Sequence, residues 1–297
     1  MKNQKYIFMV LLGGTLYGTM SSFVKLSYSQ GFTAAEISFW QAFIAAVLLW
    51  ACTLVGRRRK SMAPSQSGKS WQLLLTGCAI GLTNFLYYDS VEYIPASLAI
   101  ILLMQYTWMS LLLEWALFRR RPSRQEGVTV LVIMAGTLLA GKVLEGEEFE
   151  FSIVGIVLAL ASSLTYALYI IANGRVGTEM CWQRKSALIM TGSSLCIFAV
   201  NGTKVLPAAG SGSHFLLWAL WLAIAGTTIP TALFAEGISR VGAALSSILM
   251  TVELPVAVLC AHAILHEPVS PMQCMGVVIM LGAICSMNYL QVKPIRK

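Results

Sequence analysis

The chain has 297 residues, 57% hydrophobic and only 11% charged, with a net charge of +8. A soluble domain carries about 25% charged residues, so the composition excludes an ordinary soluble protein and points to an integral membrane protein. The basic excess does not require nucleic acid, because it flanks apolar runs, where such charges orient spans.

A membrane span needs about 20 apolar residues. Ten segments meet that need: 6–26, 35–56, 71–92, 96–118, 125–142, 152–173, 184–204, 214–236, 243–265 and 271–290. The sequence therefore predicts an all-α polytopic membrane protein with ten transmembrane helices. The first run follows Lys2 and Lys5, is long enough to span and has no small-x-small cleavage site, so it reads as a retained helix. It carries Tyr17, Ser21, Lys25 and "GTLYG" (14–18). The third holds "GCAIG" (77–81) and ends with Asn84, Tyr87 and Tyr88. Both GxxxG patterns read as close helix contacts, not as phosphate loops. The fourth carries Gln105, Tyr106 and Trp108; the fifth is the least apolar and is bounded by Arg124 and Lys142. Along the sixth, Ser162, Tyr166, Tyr169 and Asn173 fall at helical spacing, as do Ser246, Met250, Glu253, Ala257 and Cys260 along the ninth.

Charge placement tests the count. With a cytoplasmic N-terminus, 18 of the 21 basic residues fall on inside segments, and only Lys25, Lys142 and Lys204 fall outside. One miscounted helix would scramble that asymmetry. Both termini are then cytoplasmic, and "EGEEFE" (145–150) is an acidic external loop.

The two halves resemble each other. "VIMAG" (132–136) recurs as "VIMLG" (278–282), and Pro122 pairs with Pro268 at the same shift of 146. Asp89 matches Glu236 and Ala96 matches Ala243 at a shift of 147, which puts a one-residue slip within the fourth helix. The expected units are 1–146 and 147–297, five helices each. Five is odd, so the second copy enters from the opposite face, and the halves form inverted repeats suited to alternating access.

These residues also resemble a known family. "VGAALSSILMTVELPVAVLCAHAILHEPVSPMQCMGVVIMLGAI" (241–284) is similar to the second repeat of the drug/metabolite transporter superfamily, EamA type, and "SVEYIPASLAIILL" (90–103) to the matching stretch of the first. The first half departs from the pattern, with Arg121 before Pro122 and no Glu-x-Pro. The resemblance implies a carrier of small organic solutes, often outward, with a central cavity lined by helices 1, 3, 4, 6, 8 and 9 and with helices 5 and 10 peripheral.

Glu253 lies ten residues into its helix, about 15 Å deep in a roughly 30 Å hydrocarbon core. A charge facing lipid there costs at least about 2.5–3.5 kcal/mol, so the carboxyl is expected to face the bundle interior. It can exchange a proton, pair with a cation or donate a hydrogen bond. Pro255 removes a backbone donor and frees the Thr251 carbonyl. The structural alternative is that the two residues only shape a bend.

The candidate solute-binding set is Tyr17, Ser21, Asn84, Tyr88, Gln105, Trp108, Tyr166, Asn173 and Glu253. Tyr17, Trp108 and Tyr166 are expected to pack on the solute, Gln105 and Ser21 to hydrogen-bond it, and Glu253 to meet an ammonium group or carry a coupling proton. Interhelical hydrogen bonding is the alternative, and an interfacial belt accounts for Tyr28, Trp71, Tyr93 and Trp182.

The chain has no GxxxxGK[ST] and no HExxH, and His262 and His266 lack a third ligand. Seven cysteines without a CxxC act as small apolar residues. "GSGSH" (210–214) reads as a connector. No cofactor and no metal are expected, and the partners are a small solute, the bilayer and protons. The expected function is a secondary transporter in a bacterial inner membrane exporting an amino-acid-like or amphiphilic metabolite. A multidrug or antimetabolite exporter, an uncoupled facilitator, a membrane enzyme or lipid-handling protein and a non-transporting sensor are the alternatives. Sequence leaves the oligomeric state open.

Overall fold

An apolar run in hydrocarbon has no water to bond its backbone, so it satisfies its N–H and C=O groups internally as a helix. The computed structural model describes residues 2–28, 30–59, 70–94, 96–140, 152–206, 212–266 and 269–292. Among them there are no strands. The helices are α1 (Lys2–Tyr28), α2 (Ala34–Arg59), α3 (Ser70–Tyr93), α4 (Ala96–Leu103), α5 (Tyr106–Phe118), α6 (Arg124–Ala140), α7 (Ile153–Arg175), α8 (Trp182–Asn201), α9 (Gly212–Ala223), α10 (Ile229–Val241), α11 (Ala243–Met250), α12 (Glu253–Leu265) and α13 (Pro271–Val292). A π-helical turn, Ile224–Thr228, joins α9 to α10. Lys142, the 145–150 loop, Gly210, Ser211, Glu267, Pro268, Lys293, Arg296 and Lys297 lie outside the described residues.

The protein is an all-α, multi-pass membrane protein. Seven helical stretches among the described residues are long and apolar enough to cross a membrane: Gln4–Tyr28, Ala34–Val55, Leu98–Phe118, Ile153–Arg175, Trp182–Val205, Phe215–Val241 and Ala243–Ile264. The other sequence-expected segments are also helical. However, α6 has only 17 residues, and α3 carries Gln72, Asn84, Asp89 and Glu92. Away from their ends, α6, α7 and α13 expose large apolar side chains, among them Leu131, Val157 and Val278, as a lipid-facing surface requires.

Two helices are broken, at matching places. The first break, at Met104–Gln105, separates α4 from α5; the second, at Thr251–Val252, separates α11 from α12, 147 residues later. At the first, the Gln105 N–H turns to the Leu102 carbonyl (3.2 Å). The Ile101 carbonyl it leaves is taken by the Gln105 side-chain amide (3.1 Å). At the second, the Thr251 and Val252 N–H groups bond Ile248 and Leu249 (each 3.3 Å). The carbonyl that Pro255 leaves without its usual donor, Thr251 O, is taken by the Leu254 N–H (3.2 Å), so it is not free as the sequence alone suggested.

Two more features recur 147 residues apart. Arg119 and His266, after α5 and α12, both have left-handed backbone (φ 56 and 55). The capping box that starts α6, Ser123 with Glu126, returns at α13 as Ser270 with Gln273: each pair exchanges backbone N–H to side-chain bonds of 2.8–3.2 Å. The 147 offset therefore persists to Glu126, the slip to 146 falls after it and not within the fourth helix, and the match of Pro122 with Pro268 is one of sequence alone.

In the packing, α3 lies between α7 and α8, α1 rests on α10, α11 and α12, α2 on α8, and α6 on α13. An ion-pair knot ties α5, α6 and α7. Glu114, buried on α5, accepts from Arg120 (2.9 Å) and from Arg175 (3.0 Å), while Arg120 also reaches Glu126 (3.1 Å). The Arg175 guanidinium lies 3.6 Å over the Phe118 ring.

The GxxxG glycines mark close crossings. A Cβ on Gly77 of α3 would run into the Ile189 carbonyl of α8, and one on Gly192 into the Leu74 carbonyl. Backbone, unlike a side-chain tip, cannot move aside. Gly77→Ala should therefore lower stability by about 1–3 kcal/mol, read as an earlier thermal melt of the detergent-solubilised protein. Gly127→Ala, whose Cβ meets nothing within 4 Å, should leave the melt in place.

Candidate functional site

Glu253 is the first residue of α12, directly after the second break. Across it runs α1, whose Gly18 comes so near that a Cβ would lie 2.5 Å from the Glu253 carbonyl oxygen. On the other side, α7 presents Tyr166. Its hydroxyl donates to Glu253 Oε1 at 2.6 Å, and the two residues are 2% and 4% exposed. A donor this short to a carboxyl is a strong hydrogen bond. Among the described residues nothing donates to the second oxygen, Oε2, and unlike the hydroxyls of Tyr106 and Ser246 it is not sealed from open space.

That open space is a cavity of about 40 Å³, room for about three water-sized groups at 10–15 Å³ each. Tyr17, Gly18, Met20 and Ser21 line it from α1, Thr83, Asn84, Tyr87 and Tyr88 from α3, Ile100 and Leu103 from α4, with Tyr166 and Glu253 opposite. Tyr17 stacks on Phe234 of α10 (5.5 Å). Tyr88 accepts from the Gln41 amide (3.4 Å), and its carbonyl accepts from the Tyr28 hydroxyl (3.2 Å). The α3–α7 wall is held by Ser162, which donates to the Thr83 carbonyl (2.9 Å), and by a Thr83–Thr165 hydroxyl bond (2.8 Å). The rings of Tyr17, Tyr87, Tyr88 and Tyr166 and the Glu253 carboxyl border this space together.

Six of the nine sequence-nominated residues come together there: Tyr17, Ser21, Asn84, Tyr88, Tyr166 and Glu253. The other three stand outside the lining. Trp108 donates its indole N–H to Gln105 (2.7 Å), one turn away at the first break, where Gln105 also repairs the backbone. Asn173 lies two turns along α7 from Tyr166 and donates its amide to the Tyr169 hydroxyl (3.1 Å). The eighth sequence segment supplies no lining residue; it backs the cavity through Phe234.

Sequence reasoning did not nominate Met20, Thr83, Ile100 or Leu103, because an apolar or threonine side chain carries no signal of its own in a lipid-embedded helix. It also counted Lys185 among the orientation charges. In the structure Lys185 is 1% exposed, and its ammonium donates to the Asn173 carbonyl (2.6 Å) and the Ser239 hydroxyl (2.5 Å). Its place in the first turn of α8, beside the exposable Arg184, gave no hint that it turns inward.

The chain matches the model of the EamA-like transporter family twice, over residues 4–141 and 153–289. It is 27% identical to the uncharacterized transporter YcbK of Bacillus subtilis over 246 residues, covering 79% of this chain and 77% of that protein. It is also 27% identical, over 228 residues, to the threonine/homoserine exporter RhtA of Escherichia coli K12, covering 76% of this chain and 72% of the relative. A solved crystal structure superposes with a TM-score of 0.78 across 98% of both chains at 15% identity, a likeness of fold.

If the Tyr166–Glu253 bond orders the site, the two side chains are energetically coupled. A double-mutant cycle of Tyr166→Phe and Glu253→Gln, followed by thermal or denaturant unfolding in detergent, should give a coupling of about 0.5–3 kcal/mol. Additive losses would mean that the bond is incidental to stability.

Proposed function

Because the chain belongs to the EamA-like transporter family, and so is a membrane transporter and not an enzyme, we propose that it is a secondary carrier exporting a small amino-acid-like or amphiphilic solute by alternating access. The observation that carries this reading is Glu253, bonded to Tyr166 at the wall of a cavity next to a helix break. Broken helices at mid-depth are where carriers of this architecture hold their solutes.

Alternating access by exchange of two halves, 1–146 and 147–297, is supported by the two family matches and by the features that recur 147 residues apart. The packing adds to it. With ten spans in two sets of five, the contact of α1 with α10 has its counterpart in that of α7 with α3, while α2 with α8 and α6 with α13 pair equivalent helices. Arg120, Arg175, Arg184 and Arg240 gather at the helix ends assigned to the cytoplasm, which favours cytoplasmic termini. The bacterial sources of the relatives favour a bacterial inner membrane. The name of RhtA, a threonine/homoserine exporter, favours an amino-acid-like cargo.

In the cycle, Glu253 holds either the solute or a proton, and the rings of Tyr17 and Tyr166 pack on the solute's carbon skeleton. Losing a hydrogen bond to a charged group costs about 1.5–3 kcal/mol, or about ten- to hundredfold in affinity. In proteoliposomes, Glu253→Gln should lose flux by that factor and stop responding to an imposed proton gradient, while Glu253→Asp keeps part of both. Full flux by a folded Glu253→Gln protein removes Glu253 from the mechanism.

A further inference from the structure

The charges around the cavity narrow the class of solute. The argument rests on the reading above, in which this cavity holds the cargo. Among the described residues Glu253 is the only acidic one in the lining, and no lysine, arginine or histidine lines the space. The other polar lining groups, Ser21, Thr83, Asn84 and the tyrosine hydroxyls, are neutral. Tyr166 occupies Oε1, and among the described residues Oε2 has no donor.

An anion this buried requires a cation or a proton as partner. The buried cation among the described residues, Lys185, does not serve. Its ammonium is held by the Asn173 carbonyl and the Ser239 hydroxyl. Asn173 itself lies seven residues along α7 from Tyr166, about 10 Å at 1.5 Å per residue. The rings of Tyr17, Tyr87, Tyr88 and Tyr166 border the same space, and an aromatic face attracts a cation. A free carboxylate entering the cavity meets the opposite conditions. It faces a like charge, finds no ammonium or guanidinium, and exchanges its hydration for one amide and a few hydroxyls.

We infer that the cavity takes organic cations, primary or substituted amines that carry no free carboxylate. Among amino-acid-like and amphiphilic solutes this selects those whose carboxyl is absent or masked, such as amino alcohols and amino-acid amides. The ammonium sits at Glu253; because about 40 Å³ admits little more than that end, the carbon skeleton takes its place between the rings of Tyr17 and Tyr88 as the walls part to admit it.

The test uses the full-length protein, in detergent and in proteoliposomes, with four probes of one skeleton. Threoninol and threoninamide are cations, threonine is a zwitterion and N-acetylthreonine is an anion. The two cations should raise the melting temperature and be moved with kcat/KM at least about tenfold above threonine, as expected when a buried charge finds its complement. N-acetylthreonine should do neither. Glu253→Gln should erase the gap between cation and zwitterion, and Glu253→Asp should keep it. Asn84→Lys, which adds a cation to the lining, should shift preference toward threonine even where Glu253→Gln fails to fold. Threonine or N-acetylthreonine handled as well as threoninol overturns the cation class and leaves the carrier reading standing. So does a protein that neither binds nor moves the two cations while moving other solutes. Cations that stabilise the protein but never cross the vesicle overturn the carrier reading instead, and the binding class survives.

Discussion

The structure depends on one constraint: inside hydrocarbon every backbone group must be bonded by protein. Two helices nevertheless break, and each break is repaired locally. At the first, the Gln105 side chain takes the Ile101 carbonyl; at the second, the Leu254 N–H takes the carbonyl that Pro255 cannot serve. The repair leaves two interrupted helices whose second segments begin at Tyr106 and Glu253. Each break brings polar side chains to its own depth, and a large apolar cluster packs around them.

A second constraint is closeness. Gly18 allows α1 to lie against the backbone of α12 at Glu253, and Gly77 and Gly192 do the same for α3 on α8. The first crossing fixes the carboxyl relative to Tyr17 and Ser21, and the second fixes the α3 wall that carries Asn84 and Tyr88. Membrane helices gain little from hydrophobic burial against one another, so small residues and direct packing set these distances. The cavity is therefore a by-product of where glycines permit backbones to touch. A larger residue at either crossing would move a wall of the site as well as loosen the fold.

Much of this was legible in the sequence. Span lengths and apolarity marked each helical segment, the GTLYG and GCAIG spacings marked the crossings, and depth alone singled out Glu253. Polar residues at mid-depth on one helical face identify Tyr17 and Tyr166, since lipid forbids them to face outward. Two kinds of information were missing. A side chain that repairs a backbone break looks like a ligand-binding side chain until the break is located, which is why Gln105 and Trp108 were read as solute contacts. A lysine near a helix end reads as an anchoring charge by position, yet Lys185 turns inward, because the Asn173 carbonyl and the Ser239 hydroxyl wait there for a donor. Neither partner is close to it in sequence.

The two breaks also explain why the site carries a single acid. Tyr106 stands 147 residues before Glu253, at the same position of the first interrupted helix. Its ring meets Tyr166 edge-on at 4.7 Å, while the hydroxyl of that same Tyr166 bonds Glu253. One tyrosine on α7 thus bridges the two breaks, with its ring against one and its hydroxyl on the other. A carboxylate in place of Tyr106 would bring a second acid against Tyr166 in the bundle interior, where two like charges could not both ionise without a compensating cation. Tyr106, fully buried, instead fills that volume with an aromatic ring. Near-symmetry of the backbone is thus combined with asymmetry of charge, a carboxyl following one break and an aromatic ring following the other.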